Sequence, residues 1–284
     1  MTHHIPELQQ IIQRALDEDI QTGDITTNST VPANMRAKGQ FIAKAPGIIA
    51  GLTVVQLTFA QIDPEIRVTP HVQEGDPVQT GDLIATVEGN GRAILTGERT
   101  ALNFLQRMSG IATLTRQFVD RIRHTPAKIL DTRKTAPGLR LLDKWAVQLG
   151  GGHNHRMGLF DMVMIKDNHI TAAGGITAAV HRVREHYHQK FKIEVEVKNL
   201  EELHEALSLH VDQIMLDNMS LDTMRQAVQI VNGRVLLEAS GNVHLNTVQA
   251  IAETGVDLIS VGALTHSVNA LDISLLLDVN PCVS

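Results

Sequence analysis

From residue 126 onward this 284-residue chain repeats one pattern: a short apolar run, a polar or glycine-bearing end, then in most cases an amphipathic stretch. The runs are Ala127–Asp131, Met162–Lys166, Lys192–Val197, Gln213–Asp217, Val235–Ala239 and Leu258–Gly262. Amphipathic segments at Leu200–Leu209, Leu221–Val231 and Leu245–Thr254 separate the later ones. A strand that is apolar without alternation has to be covered on both faces. A parallel sheet whose crossover helices lie over it meets that demand. The last four runs recur every 20 to 23 residues, a spacing tight enough for a βα barrel. Six runs are visible, fewer than a closed barrel uses. Either the barrel is incomplete, or residues 137–161 hide further strands.

The first third reads differently. The N-terminal stretch MTHHIPELQQIIQRALDEDI reads as a helix with Leu8, Ile11, Ile12, Ala15 and Leu16 on one face. Residues 24–95 are mostly β, with candidate strands Ala37–Ala43, Ile66–His71, Leu83–Glu88 and Ala93–Leu95. Turn signals Pro46-Gly47, Glu74-Gly75-Asp76-Pro77 and Gly89-Asn90-Gly91 divide them. The stretch VQEGDPVQTGDLIATVEG is similar to the hairpin of lipoyl- and biotinyl-type domains. It has no modifiable lysine at its turn, so it is read as structural. A long helix is expected from about Gly97 to Ile122, with Gly110 as a candidate break. The fold class is therefore α/β: an N-terminal α/β sandwich-like domain over residues 1–112 and an α/β barrel over 113–284. Whether the C-terminal tail packs back on the first domain is left open.

In such folds the active site lies beyond the C-terminal ends of the strands. Taken in order, those ends carry Arg133 and Lys134 after Asp131 and Thr132, then Lys166, Asp167 and Asn168. Glu194 and Glu196 follow, then Asp217 and Asn218, then Glu238, Ser240, Gly241 and Asn242, and last Val261, Gly262 and Ala263. Cations come first, carboxylates next, small residues last. An arginine can hold a carboxylate or phosphate through two parallel hydrogen bonds, and a lysine adds a point charge. Glu196 and Asp217 suit sugar hydroxyls, or Mg²⁺ through water. The loops at 240–242 and 261–263 each precede a helix and let backbone N–H groups approach a phosphate. The plainer readings are a solvated loop charge at Arg133, a Glu–Lys pair for one of the two glutamates, and simple tight turns at the glycines.

In GGGHNHRMGLFD, Gly150–Gly152 stop a helix, and Arg156 is a candidate anion ligand. His153 and His155 lack a third ligand nearby in sequence, which disfavours a transition-metal site. Arg99 falls in the first turn of the expected long helix, where the dipole disfavours a cation, so a ligand carboxylate or a partner is the compensating reading.

Charge narrows the function. The chain carries a net charge of −6, which argues against a generic nucleic-acid or membrane-surface binder. Yet Arg99–Lys166 holds 12 Lys and Arg against 4 Asp and Glu, a balance of +8, while the rest of the chain stands at −14. Aromatic residues are only 3%, too few for a base-stacking surface, so a focused site for a small polyanion is expected. No apolar run approaches a membrane span, and no signal-peptide core precedes the first helix. The single cysteine, Cys282, fits a reducing compartment, and a cytoplasmic location is expected.

Taken together, EDIQTGDITT, IAKAPGIIAGL, GERTALNFLQRMSGIAT, KILDTRKTAPGLR, GGGHNHRMGLFD, IKDNHI, EVEV, IMLDN, EASGN and ETGVDLISVGALTHS resemble the quinolinate phosphoribosyltransferase family over nearly the whole chain. The resemblance implies an open, seven-stranded α/β barrel. It implies transfer of phosphoribosyl from phosphoribosyl pyrophosphate to quinolinate, giving nicotinate mononucleotide, pyrophosphate and CO₂ with Mg²⁺. It also implies a homodimer with shared sites, in which Arg99 comes from the neighbouring chain. Arg99, Arg133, His155, Arg156 and Lys166 then meet quinolinate, and Lys134 serves the phosphoribosyl donor, with Thr132 beside them. Glu196 and Asp217 take ribose hydroxyls and Mg²⁺. The loops Ser240-Gly241-Asn242 and Val261-Gly262-Ala263 take the 5′-phosphate. One departure is visible: many members have a second glycine where this chain has Asn242, a residue that tolerates left-handed backbone. A related pyrophosphorylase of the molybdate-operon type, a Schiff-base lyase using Lys134 or Lys166, and a non-catalytic anion-binding protein are the competing readings.

Overall fold

The computed structural model describes Ile5–Asp278, and Cys282 lies outside the described residues. The chain divides into two compact units. One gathers the described residues up to Leu114 with Ala136–Gly151 and the segment from Ser267 on; the other holds Thr115–Thr135 and Gly152–His266.

The first unit begins with α1 (Ile5–Ile20), which buries Leu8, Ile11, Ile12 and Leu16. Asp24 then caps α2 (Ile25–Thr30), its carboxylate accepting from Thr27 N–H at 2.9 Å. β1 (Arg36–Ala43), β2 (Gly47–Ile48), α3 (Leu52–Ile62), β3 (Arg67–Pro70), β4 (Pro77–Val78) and β5 (Leu83–Asn90) follow. An antiparallel sheet runs in the order Ile273–Asp278, β1, β5, β3, so the described end of the chain pairs with β1. Along β1, buried Ala37, Phe41 and Ala43 alternate with exposed Arg36, Lys38 and Gln40, placing one face on α3 and the core. The Gln-x-Gly-Asp sequence occurs twice, at 73–76 and 79–82, and builds the same turn each time. Asp76 and Asp82 each accept from the Gln N–H three residues back, at 2.8 and 2.7 Å, and Gly75 and Gly81 take φ of 89° and 96°.

Three expectations for this region are corrected. Ala93–Leu95 is not a strand. Asn90 Oδ1 accepts from Ala93 N–H at 3.2 Å, so Gly89-Asn90-Gly91 starts a helix instead of turning a hairpin. That helix, α4 (Gly91–Ile122), runs unbroken through Gly110. The glycine is there because the Asn269 carbonyl lies where a Cβ would be. Arg99 is accordingly the ninth residue of α4, beyond reach of the first-turn dipole penalty. α5 (Arg140–Leu149) also belongs to this unit. Its fully buried Asp143 takes a two-pronged bond from Arg107 at 2.9 and 2.8 Å and accepts from Ala136 N–H at 3.2 Å.

The second unit contains β6 (Lys128–Leu130), β7 (Val163–Ile165), α6 (Asp167–Ala173), α7 (Ile176–Tyr187), β8 (Ile193–Val197), α8 (Leu200–Ser208), β9 (Gln213–Asp217), α9 (Leu221–Val231), β10 (Leu236–Ser240), α10 (Val248–Ala252), β11 (Leu258–Ser260) and α11 (Ala263–His266). The strands form one parallel sheet in the order β6-β11-β10-β9-β8-β7. The strands at the two ends, β6 and β7, are consecutive in the chain, as in a barrel left open between them. The described sheet has six strands, not the seven that the family resemblance implied. Between β6 and β7 in the chain, His153 alone bridges Leu130 in parallel. Its N–H donates to Ile129 O at 2.8 Å, and its carbonyl accepts from Asp131 N–H at 3.1 Å. The intervening glycines and the turn after Arg156 stop that segment from extending into a full strand. Short βα connections are closed by capping side chains: Asn199 accepts from Glu202 N–H at 2.8 Å, and Ser220 from Thr223 N–H at 3.1 Å. Among the described residues no helix is long and apolar enough to cross a membrane.

Candidate active site

Two cavities open at the C-terminal ends of the parallel strands. One, of about 500 Å³, is lined by Glu196, Asp217 and Asn218, by the loops at Ser240–Val243 and Gly262–Ala263, and by His266. The other, of about 340 Å³, is lined by Arg133, His155 and Arg156 together with Met164 and Met215. Thr132, Lys134, Lys166, Ser240 and Ser260 line both. A larger hollow of about 940 Å³ lies where α7 leads into β8, away from the strand ends that carry the polar series.

Each strand end delivers its residues by a local device. After β6, Thr132 Oγ1 accepts from Lys134 N–H at 3.0 Å, and Thr265 Oγ1 donates to Lys134 O at 2.8 Å. A Cβ on Gly262 would stand 3.1 Å from Lys134 Cδ, so the glycine leaves room for the lysine stem. The Nε of Arg133 is buried and has no hydrogen-bond partner among the described residues. After β7, Lys166 Nζ meets Glu196 Oε2 at 2.5 Å, so one of the two glutamates does have a lysine partner. β8 places Glu194 and Glu196 two residues apart, on one face of the strand.

Asp131, whose purpose the sequence left undecided, is fully buried, and its Oδ1 accepts from His155 N–H at 2.8 Å. It therefore ties the GGGHNHR segment to the end of β6. The His155 Nδ1 accepts from Arg156 N–H at 2.7 Å, while its Nε2 lies 3.1 Å from Glu194 and 3.3 Å from Glu238. Burial pulls His155 down, but the two carboxylates outweigh it and raise the group to about 9. That value belongs to a proton held by the cluster as a unit, and because Nδ1 accepts from Arg156 N–H the proton lies between Nε2 and the two carboxylates and not on Nδ1. Burial raises Glu238 above the usual carboxylate range. Gln213 Nε2 donates to both carboxylates, at 2.9 and 2.6 Å, and Ser260 Oγ contacts Glu238. The third partner that His155 lacked locally in sequence is thus supplied from β8 and β10, while His153 lines neither cavity.

Arg156 Nη1 donates to Met162 O at 3.1 Å, and burial together with the Arg133 charge draws Arg156 below its ordinary value. Asp161 closes the next turn by accepting from Met157 N–H at 2.6 Å and Gly158 N–H at 2.9 Å. At the far wall Gly241 has φ 100°, and a Cβ there would run into Asn218. Asn242 sits at φ 52°, the left-handed conformation that asparagine tolerates, and its Nδ2 donates to Asn218 Oδ1 at 3.1 Å. α10 starts only at Val248, so the 240–242 loop does not lead straight into a helix as expected.

Of the residues singled out in the sequence, Thr132, Arg133, Lys134, His155, Arg156, Lys166, Glu196, Asp217, Ser240, Gly241, Asn242, Gly262 and Ala263 line one cavity or both. Val261 lines neither; it is buried, and its N–H donates to Leu130 O at 2.9 Å within the sheet. Arg99 lies in the first unit, outside the lining residues. Met164, Met215, Ser260 and His266 also line the cavities and carried no sequence signal beyond their place in or after a strand.

This pairing of a guanidinium-walled cavity with one walled by carboxylates and glycine loops, on an open α/β barrel, is the arrangement of a phosphoribosyl-transferring enzyme. The family description "Quinolinate phosphoribosyl transferase, N-terminal domain" matches residues 24–109, and its C-terminal counterpart matches residues 111–276. The chain belongs to that family. A Nicotiana glauca protein named quinolinate phosphoribosyltransferase (decarboxylating) 2, mitochondrial, is 48% identical, covering 97% of this chain and 84% of that one. A Bacillus subtilis protein named probable nicotinate-nucleotide pyrophosphorylase (carboxylating) is 42% identical over 95% of this chain and 93% of its own. The crystal structure of NadC from Streptococcus pyogenes superposes with a TM-score of 0.92 at 41% identity, covering 95% of this chain and 96% of that chain.

Proposed function

We propose that this chain transfers the phosphoribosyl group of phosphoribosyl pyrophosphate to the ring nitrogen of quinolinate, with loss of CO₂, to give nicotinate mononucleotide in NAD biosynthesis. The observation that carries the reading is the shared wall. An acceptor pocket bearing Arg133, Arg156 and Lys166 adjoins a donor pocket bearing Glu196, Asp217 and two glycine loops, with Thr132, Lys134, Lys166, Ser240 and Ser260 common to both.

The two carboxylates of quinolinate meet Arg133, Arg156 and Lys166, with His155 beside them in the same pocket. The buried, unpartnered Nε of Arg133 is completed by such a ligand. Lys134 serves the donor's phosphates, and the loops at 240–242 and 262–263 take its 5′-phosphate. Unit charges about 4 Å apart interact by about 4 kcal/mol at an effective dielectric near 20, so several cations are needed to hold two polyanions together. The ring nitrogen forms a bond to the anomeric carbon as the bond to the pyrophosphate oxygen breaks, with both electrons leaving on that oxygen. Glu196 and Asp217 stabilise the positive charge that develops on the sugar. The positively charged ring nitrogen then draws electrons as the C2 carboxylate departs as CO₂. The electron pair left on C2 takes a proton.

Mg²⁺ fits the donor side: it prefers one or two carboxylates plus substrate phosphates and keeps its waters. Glu196 and Asp217 offer oxygens beyond those engaged by Lys166 and by Asn218 Nδ2. When bound, the ion supplies charge neutralisation at the pyrophosphate. The working form is a cytoplasmic homodimer in which Arg99 of one copy completes the acceptor pocket of the other. The experiment is loss of quinolinate absorbance with donor and Mg²⁺, against nicotinate as control; folded protein that turns over nicotinate or neither acceptor sinks the proposal. Mixing Arg99→Ala with Lys166→Ala protein tests the shared site. Recovery of turnover on mixing supports it, and two additive inactive proteins refute it.

A further inference from the structure

His155 lines the acceptor cavity, but the two buried carboxylates behind it, Glu194 and Glu238, line neither cavity and have no part in the proposed reaction. His155 has a side chain only 5% exposed, and Glu194 and Glu238 are at 0%. Two carboxylates enclosed beside one imidazole are costly unless the arrangement is hydrogen-bonded throughout. The ring has a defined orientation. Nδ1 accepts from the Arg156 N–H, so the ring proton is on Nε2, facing Glu194 and Glu238. Gln213, one amide shared by both carboxylates, fixes their spacing. Nδ1 is therefore engaged by a hydrogen bond and Nε2 by ion-pair contact with the two carboxylates, and the peptide that Nδ1 holds carries the next cavity residue, Arg156. On the other side, Asp131 holds the His155 N–H, so the short segment 155–156 is pinned at three points.

We infer that Glu194 and Glu238 are positioning residues for the acceptor pocket: through the Nε2 of His155 they hold the imidazole in the tautomer whose Nδ1 sets the Arg156 backbone, and so the guanidinium wall. This rests on the proposed reaction only for which substrate reports it. The three groups could also be taken for a metal site, since their ligating atoms lie within 4.8 Å of one another. The direct bonds from Gln213 to both carboxylates, and the Nε2–H tautomer, favour the metal-free reading.

The test has two arms. In the ligand-free wild type, two-bond ¹H–¹⁵N correlation spectra are expected to show His155 with a bare Nδ1 and a protonated Nε2. In Glu238→Gln protein that pattern is expected to be lost. The quinolinate KM should rise by about tenfold or more while the donor KM stays within about twofold. Glu194→Gln, which leaves Glu238 on Ser260, gives the same split if the first variant folds poorly. An Nδ1–H tautomer in the wild type, equal shifts in both KM values, or one equivalent of a transition metal lost with Glu238→Gln would each overturn the inference. Failure of the wild type to use quinolinate would instead sink the proposed reaction and leave the tautomer result standing.

Discussion

Arg133→Met should raise stability or leave it unchanged while removing most of the activity, and this opposition of signs distinguishes a binding residue from a structural one. Arg133 Nε is buried with no partner among the described residues, and a buried unmet donor costs about 1–3 kcal/mol. Its charge also presses on Arg156, which is drawn down by burial and by Arg133. Methionine keeps most of the stem and removes both penalties. A gain of about 1 kcal/mol would raise Tm by about 2–4 °C. In the complex the balance reverses. A guanidinium–carboxylate contact near 4 Å is worth up to about 4 kcal/mol at an effective dielectric near 20, and a hydrogen bond to a charged group about 1.5–3 kcal/mol. A loss of about 2–4 kcal/mol in transition-state binding lowers kcat/KM for quinolinate by about 30- to 1000-fold. Thermal melts and initial rates on the same preparation read both. A variant that melts lower yet turns over within threefold of wild type refutes the reasoning, because Arg133 would then be supporting the fold and not the ligand.

Lys166→Ala should abolish most turnover and free Glu196; a normal quinolinate KM in that variant would remove Lys166 from the acceptor pocket. Arg107→Met should strip the fully buried Asp143 of its two-pronged partner and cost about 3–5 kcal/mol, read by denaturant melts, with an unchanged midpoint counting against it. Gly241→Ala adds a Cβ at φ 100° against Asn218, so the donor KM should rise, whereas Asn242→Gly should change little. Partial burial pushes Asp161 up, but the Gly158 and Met157 N–H groups pull it further down, below its ordinary 3.8. A depressed folded value gives stability that is present above the unfolded value and lost as pH falls through the folded one. The Tm gap between wild type and Asp161→Asn should therefore be present at neutral pH and close in acid below about pH 4; a gap independent of pH would contradict the assignment.

Elements with a strong local period were legible from the sequence. Gln213–Asp217 and Leu221–Val231 appear with the expected bounds, because a run of buried β-formers and an apolar helical stripe are properties of a few consecutive residues. The same holds for the strand-end series of cations, carboxylates and small residues, since a parallel sheet sends every such end to one face. Short or exceptional features were not legible. Ala93–Leu95 is three apolar residues that suit either state, and the Asn90 cap decided for helix. Gly110 resembles a helix break until the Asn269 carbonyl is seen against it. His155 looked like half of a histidine pair with His153, but its partners are Glu194 and Glu238, on strands about 40 and 80 residues further along the chain. Asp131 shows the same division. The sequence alone set it at the end of a strand, before Arg133 and Lys134. Only the tertiary structure buried it under the His155 N–H, because hydrogen bonds between distant segments depend on which strands come to lie side by side, and no local pattern encodes that.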